Sequence, residues 1–159
     1  MKVVTWSEHD VAAFRSGADE LDDWLMRRAA AAHALGDAVI RVACTTNNRV
    51  VGYHALCAAS IERSLVPGAL RRNAPDPNPV LLLARLAVDI EAQGVGVGAA
   101  LVGDVVRRTV AASEVVGFRA LVIHCRDANA RAFYDKLLPI KQLPSNPLHV
   151  FVPISALRT

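Results

Sequence analysis

The segment Gln93-Gly94-Val95-Gly96-Val97-Gly98 constrains this chain more than any other. It places a glycine at every second position between a run at 80–89 rich in Leu and Val and a helix-like run at 99–112, in which Leu101, Val105 and Val106 share one face. Alternate glycines alone are a weak signal, because glycine also serves turns and close helix packing. Their position strengthens it. At a strand-to-helix junction the first amides of the helix lack intrahelical partners, and the helix dipole favours an anion beside them. Without side chains at Gly94, Gly96 and Gly98, a diphosphate can approach that backbone closely.

A dinucleotide fingerprint needs its glycines after the first strand of a doubly wound fold, with an acidic residue about 20 positions on. Here the glycines follow a late strand, and the remaining chain is too short for a second nucleotide-binding half. A phosphate loop of the Gly-Lys-Ser/Thr kind is absent too, since Gly98 is followed by Ala99-Ala100. Both nucleotide readings fail.

The chain, 1–159, reads as one α+β domain long enough to bury a core. A short strand at 2–6 precedes a helix at 18–35. Leu21, Trp24, Leu25, Arg28, Ala29, Ala32 and Leu35 mark one face of that helix, with Asp19 and Glu20 in its first turn and Gly36 at its end. Runs at 38–45 and 50–58 form strands joined through Asn47-Asn48. Residues 64–79, with four prolines and Arg71-Arg72, form a long loop with room for one helical turn. Beyond the glycine segment and its helix come a strand at 119–125, a helix capped by Asp127 and running to about Leu137, and strands at 140–143 and 148–153. The order is β, α, ββ, loop, β, α, β, α, ββ, with one βαβ core.

Apolar residues make up 53% of the chain, but much of the excess is alanine, and no apolar run is long enough to span a bilayer. The N-terminal Met1-Lys2-Val3-Val4-Thr5-Trp6 lacks the apolar core of a signal peptide, so a cytoplasmic protein without a membrane segment is expected. Cys44, Cys57 and Cys125 have no metal-like spacing and sit in apolar stretches as small hydrophobes, so no metal is expected. A net charge of +3 permits a polyanionic partner without requiring one.

Several segments together resemble the GNAT superfamily of N-acetyltransferases. Its loop pattern, Gln/Arg-x-x-Gly-x-Gly/Ala, is matched by Gln93, Gly96 and Gly98. Phe14-Arg15-Ser16-Gly17, Leu21-Asp22-Asp23-Trp24-Leu25, Val50-Val51-Gly52-Tyr53-His54-Ala55-Leu56, Arg85-Leu86-Ala87-Val88-Asp89 and Ala132-Phe133-Tyr134 are similar to the GNAT toxins of bacterial toxin–antitoxin pairs, over nearly the whole chain. The resemblance implies the GNAT fold, a mixed, mostly antiparallel sheet with a central βαβ unit that binds acetyl-CoA. It further implies acetylation of the α-amino group of aminoacyl-tRNA, which blocks translation, and a ribbon-helix-helix antitoxin as partner. A homodimer follows by analogy alone. The alternative is a GNAT enzyme acting on a small amine or a protein N-terminus. The chain departs from the family after Phe133-Tyr134, where Leu137-Leu138-Pro139-Ile140 stands in place of a common Gly-Phe turn and alters the hairpin expected there.

Such a reaction is attack of an amine on a thioester. It needs a neutral amine, a stabiliser for the oxyanion and a proton for the leaving thiolate. By the resemblance, pantetheine pairs along Leu86, Ala87 and Val88, with the Val88 N–H toward the thioester oxygen. The backbone of Gln93, Gly94, Val95, Gly96, Val97, Gly98 and Ala99 holds the pyrophosphate. Asn129 matches a position that bonds the pantetheine arm, although helix capping explains it equally well. Tyr134 is the candidate general acid: the resemblance places its hydroxyl near the sulfur, and an ordinary pKa of about 10 keeps it protonated at neutral pH. A core tyrosine beside Phe133 is the default for an isolated Phe-Tyr pair; the motif match favours the acid.

No general base stands out. An α-amine has a pKa of about 7.7–8.0 against about 10.4 for lysine, so it is already partly neutral near pH 7, and the missing base mildly favours an α-amine substrate. For tRNA phosphates the candidates are Arg27, Arg28, Arg71, Arg72, Arg85 and Lys136, with Arg85 foremost because a charge on a buried strand must reach a partner or water. Trp24 and His124 read as structural, and Arg107 and Arg108 as solvated surface.

Overall fold

Apolar runs rich in valine and isoleucine become strands here, and helical periodicity marks the segments between them. The computed structural model describes residues 1–62 and 65–158. Its elements are β1 (Lys2–Thr5), α1 (Asp19–Arg27), α2 (Ala29–Leu35), β2 (Val39–Cys44), β3 (Val50–Ile61), α3 (Gly68–Arg71), β4 (Asn78–Val88), α4 (Val97–Ser113), β5 (Ala120–His124), α5 (Ala128–Leu137), β6 (Lys141–Leu143), β7 (Asn146–Pro153) and α6 (Ile154–Leu157). A 3-10 turn, Ile90–Ala92, separates β4 from α4. The hydrogen-bonded strand order is β1-β2-β3-β4-β5-β7-β6. The pairs β1/β2, β2/β3, β5/β7 and β6/β7 are antiparallel, whereas β4 and β5 are parallel and joined through α4, the βαβ unit expected from the sequence.

The chain forms two compact units. The first comprises Met1–Cys57 and Ala84–Val105. Alternate residues of β2 serve opposite faces. Ile40 and Val42 join Phe14, Leu25, Ala29, Tyr53, Ala55 and Ala87 in one cluster. Ala43 joins Val97 and Leu101 of α4 in another, with Val3, Val51, Leu86 and Val88 against it. With both faces covered, β2 reads as an almost continuous apolar run. The second unit comprises Ala58–Leu83 and Val106–Thr159, and its core gathers Val66, Val80, Ala120, Val122, Leu143 and Phe151. Leu25, Ile40, Leu101, Leu121 and Phe151 are almost wholly buried, and each contributes about 1.5–3 kcal/mol relative to exposure.

The structure departs from the sequence reading in several places. The helix expected at 18–35 is two helices, broken at Arg28 (φ −120°, ψ −27°). Four successive alanines after Arg28 offer no bulk to continue the stripe of α1, so packing of Ala29 rather than propensity directs α2. Arg28 and Leu35, expected on the buried face, are exposed. The helix expected from Ala99 starts at Val97, because Val97 packs with Leu101 and Ala43 and draws the first turn onto the sheet. Strand β4 begins at Asn78, and α3 supplies the single helical turn in the loop before it, whose first residue, 64, lies outside the described residues. The chain does not finish in strand: α6 follows β7. The hairpin after β2 does rest on its asparagines, with Asn48 at φ 65°, a region asparagine tolerates, donating to the Thr45 carbonyl. Among the described residues no helix is long and apolar enough to cross a membrane.

Candidate active site

Two side chains tie down the backbone that follows β4. Buried Asp89 accepts from the Arg15 N–H (3.1 Å) and, as cap of the 3-10 turn, from the Glu91 N–H (2.9 Å), with the Arg49 guanidinium 3.6 Å away. The side-chain amide of Gln93 donates to the carbonyls of Ser16 and Val88, each at 3.0 Å, so Gln93 is a strut at the loop entrance. Gly94 and Gly96 have φ of 78° and 93°. A Cβ at either would meet nothing within 4 Å, so backbone strain and not crowding requires glycine there. The Ala100 N–H donates to the Gly96 carbonyl at 3.0 Å. Helical bonding therefore starts at Gly96, and the amides of Val97, Gly98 and Ala99 precede any intrahelical acceptor. Main-chain amides on an exposed left-handed bend, at the positive end of a 17-residue helix, suit a diphosphate.

A buried charge cluster holds α4 in place. Arg41 of β2 grips Asp104 with two parallel bonds, Nε to Oδ2 and Nη2 to Oδ1, both 2.9 Å. His54 Nε2 of β3 lies 2.8 Å from Asp104 Oδ2. Arg41 also donates to Thr5 Oγ1 (2.9 Å) and the Val3 carbonyl (3.3 Å), so the cluster links α4 to β1, β2 and β3. Arg41, Asp104 and His54 are 7%, 2% and 0% exposed. Burial would raise the Asp104 pKa, but the bonds from His54 and Arg41 and the Arg41 charge outweigh it and hold the carboxyl well below the usual carboxylate range. The sequence reading passed over all three residues. The available signal was a polar or charged group at an apolar-face position of each element, which demands a buried partner.

The first half of β4 belongs to the second unit and its end to the first. Val80 and Leu82 pack with Ala59 and Ile61 of β3. Farther on it is Ala87 that packs with Tyr53 and Ala55, while Arg85 lies over Trp24. The parallel ladder with β5 pairs Leu81, Leu82 and Leu83, and β4 runs on to Val88. Leu86 and Val88 pack with Val97 and Leu101 of α4, and Ala87 is buried on the opposite side.

In the second unit, Asp127 caps α5 by accepting from the Ala130 N–H at 2.8 Å. Capping therefore does not explain Asn129, which is exposed in the first turn. Tyr134 is 6% exposed and meets Phe133 edge-on, with ring centroids 5.2 Å apart. Burial first, and Cys125 second, push its hydroxyl pKa above the ordinary tyrosine value, so the proton is firmly held. Arg131 on the same helix donates to Gln142 Oε1 (2.7 Å) and to the Pro147 carbonyl, fixing α5 against β6 and the start of β7. His124 stacks on His149 with centroids 3.9 Å apart, and burial followed by the His149 charge lowers its pKa. Cys44 and Cys125 are buried and Cys57 half-buried, all as free thiols. Among the described residues no three His, Cys, Asp or Glu side chains gather as a metal site.

The cationic candidates differ in setting. Arg27 is exposed and pairs with Asp23 at 2.9 Å, and Arg28, Arg72 and Lys136 are exposed. Arg71 is exposed and donates to the Val66 carbonyl at 3.2 Å. Arg85 is half-buried with its guanidinium 4.6 Å from the centre of Trp24, which stacks at 6.0 Å on Tyr53, whose hydroxyl donates to the Leu21 carbonyl at 2.7 Å. The charge on β4 has thus found an aromatic partner within the chain. Trp24, read as core, is half-buried between the two.

Residues 3–138 match the pattern of the acetyltransferase (GNAT) family. A tRNA-acetylating toxin of Mycobacterium tuberculosis (strain H37Rv) is 43% identical over 143 residues, covering 90% of this chain and 85% of the toxin. Among solved structures, AtaT complexed with acetyl-methionyl-tRNAfMet has a TM-score of 0.89 at 25% identity, covering 99% of this chain and 96% of that one. A tyrosine-to-phenylalanine mutant of the AtaT toxin, bound to the C-terminus of the antitoxin AtaR and acetyl-CoA, has a TM-score of 0.82 at 25% identity, covering 99% and 95%. With a family match that runs from β1 to the end of α5, the chain belongs to the GNAT family of acetyltransferases.

Proposed function

We propose that residues 1–159 act as one catalytic domain that moves acetyl from acetyl-CoA to the α-amino group of an aminoacyl-tRNA, as the toxin of a toxin–antitoxin pair. The observation that carries this reading is the 43% identity, over 90% of the chain, to a tRNA-acetylating toxin. The acetyl-methionyl-tRNA bound to AtaT and the antitoxin C-terminus bound to its mutant support the substrate class and the partner. The antitoxin is of the ribbon-helix-helix class.

The main-chain amides from Gly94 to Ala99 hold the pyrophosphate, with Gln93 bracing the loop behind them. Leu86, Ala87 and Val88 take the pantetheine arm by backbone pairing, the Val88 N–H polarises the thioester carbonyl, and Asn129 bonds the arm. Tyr134 gives its proton to the departing thiolate. The attacking α-amine enters neutral, because its pKa of about 7.7–8.0 leaves a useful unprotonated share near pH 7. Arg27, Arg28, Arg71, Arg72 and Arg85 are the candidates for tRNA phosphates, contacts that position the acceptor end without reading sequence.

Incubation with radiolabelled acetyl-CoA and total charged tRNA is expected to label the aminoacyl moiety, with free small amines unlabelled. Label on the amines and none on tRNA would overturn the substrate assignment. Gly96→Val places a β-branched residue at φ 93°, a strain of about 1–3 kcal/mol. Calorimetry on the folded variant is expected to show acetyl-CoA binding at least about tenfold weaker.

A further inference from the structure

Gly52 lies inside β3, where glycine weakens a strand and commonly marks close approach of another backbone. Its φ lies outside the left-handed region, so conformational freedom is not its purpose. A Cβ there would stand 2.9 Å from Leu101 Cδ1, 3.2 Å from Val97 Cγ1 and 3.2 Å from the Ala87 carbonyl oxygen. The first turns of α4 and the end of β4 both rest in the space a side chain would fill. Two residues along the same strand face, His54 meets Asp104, about two turns deeper in α4. Strand β3 thereby sets the depth of α4 through Gly52 and its register through His54.

We infer that Gly52 is a positioning residue for the acetyl-CoA site, and the inference rests on the proposed function above. Val97 opens the helix whose amides are assigned to the pyrophosphate, and Ala87 belongs to the segment assigned to pantetheine. A methyl at position 52 presses on both. The terminal methyl of Leu101 can rotate away, whereas the Ala87 carbonyl is main chain and moves only with β4. Displacements of a few tenths of an ångström pass into the cofactor-facing backbone, where hydrogen bonds weaken steeply with geometry.

Gly52→Ala is expected to weaken acetyl-CoA binding by about tenfold, read by calorimetry and as a raised KM, with a smaller fall in kcat because moving Ala87 carries the neighbouring Val88 N–H with it. Gly117→Ala, whose Cβ would meet nothing within 4 Å, is the control and should bind as the wild type does. Wild-type affinity in Gly52→Ala, or a fall in kcat at unchanged affinity, overturns the inference. If Gly52→Ala does not fold, Leu101→Ala is compared with Gly52→Ala/Leu101→Ala. The double variant gains room yet keeps the methyl against Ala87 and Val97, so it should bind more weakly than Leu101→Ala, and equal affinity overturns the inference. A wild type that binds no acetyl-CoA brings down the proposed function and this inference together; a binding wild type with an equally tight Gly52→Ala brings down only the role of Gly52.

Discussion

Tyr134→Phe is expected to lower turnover by about 10²–10⁴-fold, the range for removal of a general acid, while acetyl-CoA binds with unchanged affinity. Phenylalanine fills the same buried space beside Phe133 and leaves the loop from Gly94 to Ala99 untouched, so the loss should fall on kcat alone. Burial and Cys125 raise its pKa, so the proton is present over the whole neutral range, at the cost of a weaker acid. That direction also fixes the pH dependence. An ordinary tyrosine would lose its proton near pH 10, but the wild-type rate should not fall there from ionisation of this hydroxyl. Single-turnover rates of both proteins from pH 6 to about 10 test this. Full activity in Tyr134→Phe would remove the hydroxyl from the mechanism and leave a core aromatic.

The second large effect concerns stability. Asp104→Ala is expected to destabilise the fold by about 3–5 kcal/mol, because it strands the buried Arg41 guanidinium without its carboxylate. At roughly 2–4 °C per kcal/mol for a chain of this size, the melting temperature should drop by roughly 6–20 °C. Replacing Arg41 and Asp104 together with apolar residues of similar size should cost much less, since no charge is left unpaired. The same carboxyl predicts acid sensitivity. Its folded pKa is depressed by His54 and Arg41 against the opposing pull of burial, so its contribution is complete above the unfolded value of about 3.9 and is lost as pH falls through the folded value. Urea midpoints at neutral and acid pH should therefore converge between wild type and Asp104→Asn as pH falls. Parallel decline of the two midpoints would show that other groups govern acid unfolding.

Features legible in the sequence were those whose physics is local. Glycines at 94 and 96 mark a side-chain-poor stretch between strand and helix, and the fold gives both a positive φ. Asp127 announced a helix cap and Asn47-Asn48 a tight turn, and both serve as such. The break at Arg28 was hidden because the residues around it are good helix formers; the packing demand of Ala29 overrode their propensity. Helix α6 was hidden for a related reason: four residues carry too little periodicity to register. Arg85 stands out in the sequence as a charge on a strand that must reach a partner or water, but Trp24, sixty-one positions earlier, could not be named without the fold.

The order of residues alone determined that a bare, glycine-rich bend would stand between a core strand and a helix, because glycine spacing and helix-end amides are decided by immediate neighbours. Only tertiary structure decided how that bend is aimed. Arg41, His54 and Asp104 lie on three separate elements, and Gly52 matters only because Val97, Leu101 and Ala87 come to rest against it. Buried charges and close approaches draw their energy from partners distant along the chain, so no local window of sequence contains them.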